Sequence, residues 1–220
     1  MERIGEVVAG YRITNRIAAE PYTTLFQVER DGEQAFLRVL LPERSKNERI
    51  TKRFLDSAAA LQKGKHEALV EILEHGRLPD GCAYVLHKRL AGKFLSEARE
   101  LAKGAQVVSI LHQLASALAV LHREGIAYLD LQPERIVLLT NKDELKAQLL
   151  DTEHTQVGEK QPLRNTLPNV AVSGLDDPVL FMAPEYFAAE GKLGTPADVY
   201  ALGVLAYQLL CGKTPVAGGQ

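Results

Sequence analysis

Cysteine is scarce: 220 residues hold only Cys82 and Cys211. That is too few for a disulfide framework or a cysteine-built zinc site. Two reduced, largely buried thiols are expected, as in proteins of a reducing compartment. Long apolar runs are missing as well. None reaches the ~18 residues of a membrane span, and the opening Met-Glu-Arg-Ile-Gly lacks the apolar stretch of a secretory signal. Nor is there an excess of either charge: 26 Lys and Arg stand against 28 Asp and Glu, a net charge of -2. That balance argues against a nucleic-acid binder working through a broad basic face, though not against a local patch. No internal repeat and no low-complexity tract is found. Together these absences argue against a secreted enzyme, a collagen-like or disordered chain and a membrane channel. What is there is ordinary globular composition, 46% apolar and 25% charged, enough for a real core.

The first ~90 residues read as strand-rich. Tyr11–Ile17, Thr23–Val28 and Ala35–Leu41 carry strand character, with Asp31-Gly32 as a hairpin turn and Pro42 as a stop. Ile50 to Lys63 is predicted helical around Ile50, Phe54, Ala58 and Leu61. Leu69–Glu74 and Cys82–Leu90 are predicted as further strands about the Pro79-Asp-Gly turn. The period then changes. Val107, Ile110, Leu111, Leu114, Leu118 and Leu121 mark an amphipathic helix over 105–123, with Gly125 placed as its stop. Ile136–Leu139 and Gln148–Leu150 are short apolar strands flanking Asn141-Lys-Asp. A polar stretch, expected to be mobile, runs from Thr152 to about Asp177, and a last helix runs from near Pro196 to Cys211-Gly212. The fold class is α+β: residues 1–90 as a small β-rich lobe and residues 91–220 as a mainly helical one.

Three segments carry chemistry in order: Tyr128-Leu-Asp-Leu-Gln-Pro-Glu-Arg-Ile136, Leu149-Leu-Asp-Thr-Glu153 and Met182-Ala-Pro-Glu185, the last followed by Ala197-Asp-Val-Tyr-Ala-Leu-Gly-Val204. This order and spacing resembles the eukaryotic-like (Hanks-type) Ser/Thr protein kinase family, most of all its bacterial members, over nearly the whole chain. The resemblance implies a protein-kinase-like fold whose second lobe is truncated or minimal, because the family adds further helices after the last one here. It implies that Asp130 stands where a catalytic aspartate accepts the substrate hydroxyl proton, and Asp151 where an aspartate holds Mg²⁺ against the ATP phosphates. Read without the family, both are equally polar caps of loops.

The rest of the pattern departs. The stretch matching the glycine-rich phosphate loop, Ala18-Ala-Glu-Pro-Tyr-Thr-Thr-Leu25, has no glycine. Glu20 adds negative charge near where phosphates would sit, and Pro21 removes an amide donor. An exposed hairpin is the expected reading. The family's strand lysine is Arg38, and its helical glutamate partner aligns with Ser57, so the usual ion pair cannot form; Asp56 points away on the helix. Arg38 then either contacts ATP or is a strand residue with its head in the cleft or in water. Leu129 replaces the arginine beside the catalytic aspartate, Gln132 replaces a lysine, and Arg135 replaces the metal-binding asparagine. A guanidinium there repels Mg²⁺ rather than ligating it. Either it stands in for the metal against Asp151 and Asp130, or it extends into solvent. Pro133, Ile136, Ala183-Pro-Glu185 and Asp198 match scaffold positions.

The expected reading is a pseudokinase domain, a degenerate member of that family. It acts as a protein-binding scaffold or regulatory module in bacterial signalling or an envelope or secretion assembly. The alternatives are a divergent active Ser/Thr kinase and a nucleotide sensor. No cofactor is expected, with weak or metal-independent ATP binding as the open alternative, and no metal site, since the six histidines show no ligand spacing. His66 is read as structural. The expected partner is a protein: a kinase, a phosphothreonine-reading domain or a membrane assembly. The expected location is cytoplasmic, alone or as the cytoplasmic part of a longer membrane protein. Thr152, Thr155, Thr166 and Ser173 are candidate phosphorylation sites in what the resemblance makes the activation segment, against an unmodified loop.

Overall fold

The structure, a computed structural model, describes residues 3–20, 22–141, 144–150, 156–157, 178–188 and 193–215. It divides into two compact units, Met1–Lys63 with Val70–Arg89, and Gly64–Leu69 with Leu90–Gln220.

The first unit is built on a six-stranded antiparallel sheet. Its strands are β1 (Val7–Val8), β2 (Tyr11–Ala19), β3 (Thr23–Arg30), β4 (Glu33–Leu40), β5 (Ile72–Arg77) and β6 (Ala83–Lys88), ordered β1-β2-β3-β4-β6-β5. Alternation decides which side is buried in the core. Cross-strand partners Phe26, Leu37 and Leu86 lie in one row and Val28 and Ala35 in the next. With Tyr11, Ile13, Val39 and Tyr84 they form the core cluster. Burying each large apolar side chain contributes roughly 1.5–3 kcal/mol. A one-residue slip of β4 would bring Arg38 into that face, so the register is strongly specified.

Between the paired residues Arg30 and Glu33, Asp31 and Gly32 both take positive φ, 52° and 81°. That is the two-residue hairpin the Asp-Gly pair predicts, whose backbone matches the twist of the strands. Pro42 ends β4 and opens the short helix α1 (Pro42–Ser45). In α2 (Glu48–Lys63) the Asn47 carboxamide oxygen accepts the N–H of Arg49 and of Ile50, at 3.1 and 3.3 Å. This cap starts the helix two residues before the apolar pattern does. Phe54, Ala58 and Leu61 are its buried stripe, and Asp56 is half-buried and paired with Lys52.

The second unit centres on α3 (Ala105–Arg123), which buries Val107, Ile110, Leu114, Ala117, Leu118 and Leu121. It packs against α4 (Thr195–Cys211) and against a three-stranded sheet of β7 (Lys93–Phe94), β9 (Ile136–Asn141) and β10 (Glu144–Leu149). Gln113 of α3 clamps the edge of β10. Its amide oxygen accepts the Ala147 N–H at 2.9 Å and its amide nitrogen donates to the Leu145 carbonyl at 3.1 Å, which satisfies groups an edge strand would leave open. Gly92 lies so close to the Leu138 carbonyl that any Cβ there would collide with it. A two-residue pair, β8 (Ile126–Ala127) with β11 (Gln156–Val157), completes the regular structure described. At the far end of α4, Gly212 takes φ 70° and closes the helix. Among the described residues, α3 alone has the length and apolar composition that would also suit a membrane span.

Two expectations need correction. The strand expected at Leu69–Glu74 is β5, Ile72–Arg77. The apolar Ala68-Leu69 instead bonds to Leu149 in the second unit, the Ala68 carbonyl accepting the Leu149 N–H at 2.8 Å. Of the two thiols, Cys82 is buried but Cys211 is exposed at the end of α4.

Tyr84 joins the first unit's core to its sheet edge. Its hydroxyl donates to the Glu74 carboxylate at 2.7 Å. Burial, then the Glu74 carboxylate, push its phenol up to about 12. A phenol raised on folding stabilises the fold fully below its ordinary pKa of about 10 and loses that contribution as pH climbs through the raised value. Tyr84→Phe is therefore expected to cost about 1 kcal/mol at neutral pH and to flatten the stability loss between about pH 10 and about 12. Denaturant unfolding across that range checks it; equal slopes for both proteins would show that the bond contributes nothing.

Candidate functional site

In the first unit, Arg38 sits in the middle of β4 with its side chain only 2% exposed. The water-facing alternative for this residue is therefore corrected. Its guanidinium donates from Nη1 to Glu20 Oε2, and the Thr23 hydroxyl donates to the same oxygen. Ser57, which the sequence resemblance aligned with the family's glutamate, is buried and turns its hydroxyl back to the Arg53 carbonyl of its own helix at 2.9 Å. Glu20 was read from sequence only as an unwelcome charge. The missed signal is register: Ala18, Leu25 and Arg38 are successive cross-strand partners, and Glu20 is two residues beyond Ala18, the spacing that returns to the same face of an extended strand.

In the second unit, the loop after β8 presents Asp130. The Gln132 side-chain amide donates to its Oδ1 at 2.6 Å, and Arg135 Nε donates to its Oδ2 at 2.8 Å. The Asp130 and Arg135 side chains are 10% and 19% exposed, so the solvent-extended alternative for Arg135 is also corrected. A short 3-10 turn, Pro133–Arg135, makes this reach possible: Pro133 opens it and the Arg135 N–H returns to the Gln132 carbonyl at 2.9 Å. Between them, Glu134 is half-buried. Burial holds its carboxyl above the usual range, with Asp130 adding to the effect and Arg99 and Arg135 offsetting part of it.

Asp198, in the first turn of α4, fixes this loop from below. It accepts the N–H of Tyr128 at 2.8 Å and of Leu129 at 2.7 Å, and lies 2.8 Å from His122 Nε2. The Tyr128 hydroxyl donates to the Leu150 carbonyl at 2.8 Å, and the Leu150 N–H donates to the Arg135 carbonyl at 2.9 Å. His66 has the structural role expected of it. The Ala68 N–H donates to its Nδ1 at 3.0 Å, and its Nε2 lies 3.0 Å from the Ser116 hydroxyl. Asp151, Thr152, Thr155, Thr166 and Ser173 lie outside the described residues. Among the described residues, no three His, Cys, Asp or Glu side chains gather as metal ligands.

Sequence and fold comparisons give the family and the fold. The protein kinase domain family matches residues 24–220, and the chain belongs to that family. It is 29% identical over 85% of its length to the serine/threonine-protein kinase pkn2 of Myxococcus xanthus, and 32% identical over 84% to Pkn1 of the same organism. It spans about a quarter of the length of these relatives, 22% and 26%. The kinase domain of PknI from Mycobacterium tuberculosis superposes with a TM-score of 0.71 at 21% identity, covering 99% of this chain and 79% of that one. The chain has the protein-kinase-like fold, a β-sheet first lobe and a helical second lobe.

The Asp130–Arg135 pair gives a stability test. Arg135→Asn leaves a mostly buried carboxylate without its guanidinium, and is expected to lower stability by about 1–3 kcal/mol, read as a lower melting temperature. An unchanged melting curve would mean that the pair holds nothing together.

Proposed function

We propose that this chain is a catalytically impaired member of its family, a pseudokinase domain that works as a protein-binding scaffold or regulatory module. On this reading its setting is bacterial signalling or an envelope or secretion assembly. The observation that carries this reading is Asp130, whose two carboxylate oxygens are engaged by Gln132 and Arg135. A general base needs an oxygen free to receive a proton within hydrogen-bond reach of the substrate. Here each oxygen already accepts from a neighbour, one of them a permanent cation.

The described residues also do not suit Mg·ATP. A guanidinium has no lone pair for a metal, and it stands at the family's second metal position. Arg38 is bound to Glu20, which brings negative charge where a phosphate would need a cation. ATP binding on this reading is weak or metal-independent. The partner is a protein, such as a kinase, a phosphothreonine-reading domain or a membrane assembly, met in the cytoplasm.

One alternative has support of its own. Asp130 and Asp151 are both retained in the sequence, and the named relatives are serine/threonine kinases. That favours a divergent active kinase.

Calorimetric titration with ATP, with and without Mg²⁺ and at two temperatures, separates the readings, together with radiolabel transfer from ATP. The expected result is no metal-dependent heat at millimolar ATP and no transfer. Metal-dependent binding with transfer that vanishes in Asp151→Asn would replace the proposal with the active kinase. Binding without metal and without transfer would make the chain a nucleotide sensor.

A further inference from the structure

One edge of the first unit's sheet is closed by a segment with little apolar surface to hold it. Residues 3–8 lie back along β2, joined to it by the two-residue hairpin Ala9-Gly10, with φ of 52° and 80°. An alanine at positive φ is strained, so the turn alone does not keep the segment down. β1 itself is two residues long. Beyond it the Ile13 N–H donates to the Glu6 carbonyl and the Gly5 N–H to the Ile13 carbonyl, both at 2.8 Å. Of residues 3–8 only Arg3 and Val8 are buried, while Ile4 and Val7 are 56% and 59% exposed. Such a segment stays in place only when something ties it down. Arg3 is the tie. Its guanidinium donates from Nη2 to Asp80 Oδ2, in the turn between β5 and β6, and from Nη1 to Glu6 Oε2 at 2.9 Å.

Cys82 lies beside this tie. Its N–H donates to Asp80 Oδ1 at 3.0 Å, it is 2% exposed, and it shares a core cluster with Val8 and Tyr11. Burial, then Asp80, push its thiol up, while Arg3 and Ser45 offset part of the effect, so the guanidinium is near enough to act on the sulfur. We propose that residues 3–8 are a strap that lifts as a unit, that the Arg3–Asp80 pair is its latch, and that lifting bares the outer edge of β2 and Cys82 while the rest of the sheet stays folded. Loss of the guanidinium takes away the group that bridges Glu6 and Asp80 and leaves two carboxylates facing each other as like charges. Removing one partner of a buried pair is strongly destabilising. Here the loss falls on a segment the sheet can shed, because β2 keeps its pairing with β3 along the other edge. This inference goes beyond the scaffold reading and does not depend on it, because neither nucleotide nor partner enters its test.

Cys211 is exposed, so the test uses a Cys211→Ser background in which Cys82 is the thiol that remains. The probe is iodoacetamide at fixed pH: the Cys82 thiolate displaces iodide, and its proton goes to solvent. Hydrogen exchange of individual amides is read alongside. Arg3→Met is expected to be alkylated at least about tenfold faster than its parent. With the strap still shut, losing Arg3 would push the thiol higher and slow the reaction, so a faster rate reports access rather than charge. The Gly5 and Ile13 amides should exchange faster by a similar factor, with the amides of β3 and β4 unchanged. An unchanged or slower alkylation rate would overturn the proposal. Exchange that rises equally in the strap and in β3 and β4 would overturn it too, since Arg3 would then support the whole unit and latch nothing. If Arg3→Met does not fold, Arg3→Lys keeps the charge without the planar fork that reaches both carboxylates. The same two rates then decide: faster access with β3 and β4 unchanged supports the latch, and no change overturns it.

Discussion

The second unit's chemistry rests on one buried carboxylate. Asp198 is 1% exposed, yet it accepts two backbone N–H groups and lies within hydrogen-bond distance of His122. One of those N–H groups belongs to Leu129, whose φ of 63° is in the left-handed region. A branched residue held there costs on the order of 1–3 kcal/mol. Charge-assisted bonds contribute roughly 1.5–3 kcal/mol each, so two of them offset the strain. The position of Asp198 in the first turn of α4 adds to this, because a helix N-terminus favours negative charge. The turn at Leu129 sets the direction of the chain into Asp130. Without Asp198, the loop would lose both its strained shape and the placement of the residue that carries the site.

The same rule, that a buried charge needs a partner, accounts for both candidate constellations. In the family that this chain belongs to, nucleotide and metal satisfy such charges. In each unit of this chain, side chains do so: Arg135 and Gln132 on Asp130, Glu20 on Arg38. The substitutions are complementary. The resemblance read from sequence aligns the family's lysine with Arg38 and its helical glutamate with Ser57, and here the carboxylate comes from Glu20. The same resemblance aligns the metal-binding asparagine with Arg135, five residues from the carboxylate it engages. Membership of the kinase family fixes the fold; what the site does has to be argued from these residues.

How much could be read from sequence depended on how local the cause was. The period of α3 and the Asp31-Gly32 hairpin were legible, since each is set by residues within a turn or two. The two-residue strands β1, β7, β8 and β11 were not, being too short to show a period. Nor was the true start of β5, because Ala68-Leu69 has strand-like composition but spends its backbone on Leu149. Arg135 was set from sequence against Asp151 first and Asp130 with it, or in solvent; the contact found, to Asp130, lies within one short loop. The partner of Arg38 was hidden for the opposite reason. Glu20 is 18 residues away, and the two meet only once the register of three strands is known. A sequence shows that a charge has lost its usual partner; it takes strand pairing to show which residue replaces it.

Self-satisfaction also sets a threshold against ligands. A carboxylate has about four lone-pair sites, so a ligand that takes one now held on Asp130 by the guanidinium or the amide must displace that donor. Each hydrogen bond broken to a mostly buried group costs about 1–3 kcal/mol, which is about tenfold in affinity for every 1.4 kcal/mol. The internal contacts need no ligand at all, so each unit keeps its charged positions in order whether or not nucleotide is present. That independence is what a domain requires if its task is to present a constant surface to another protein.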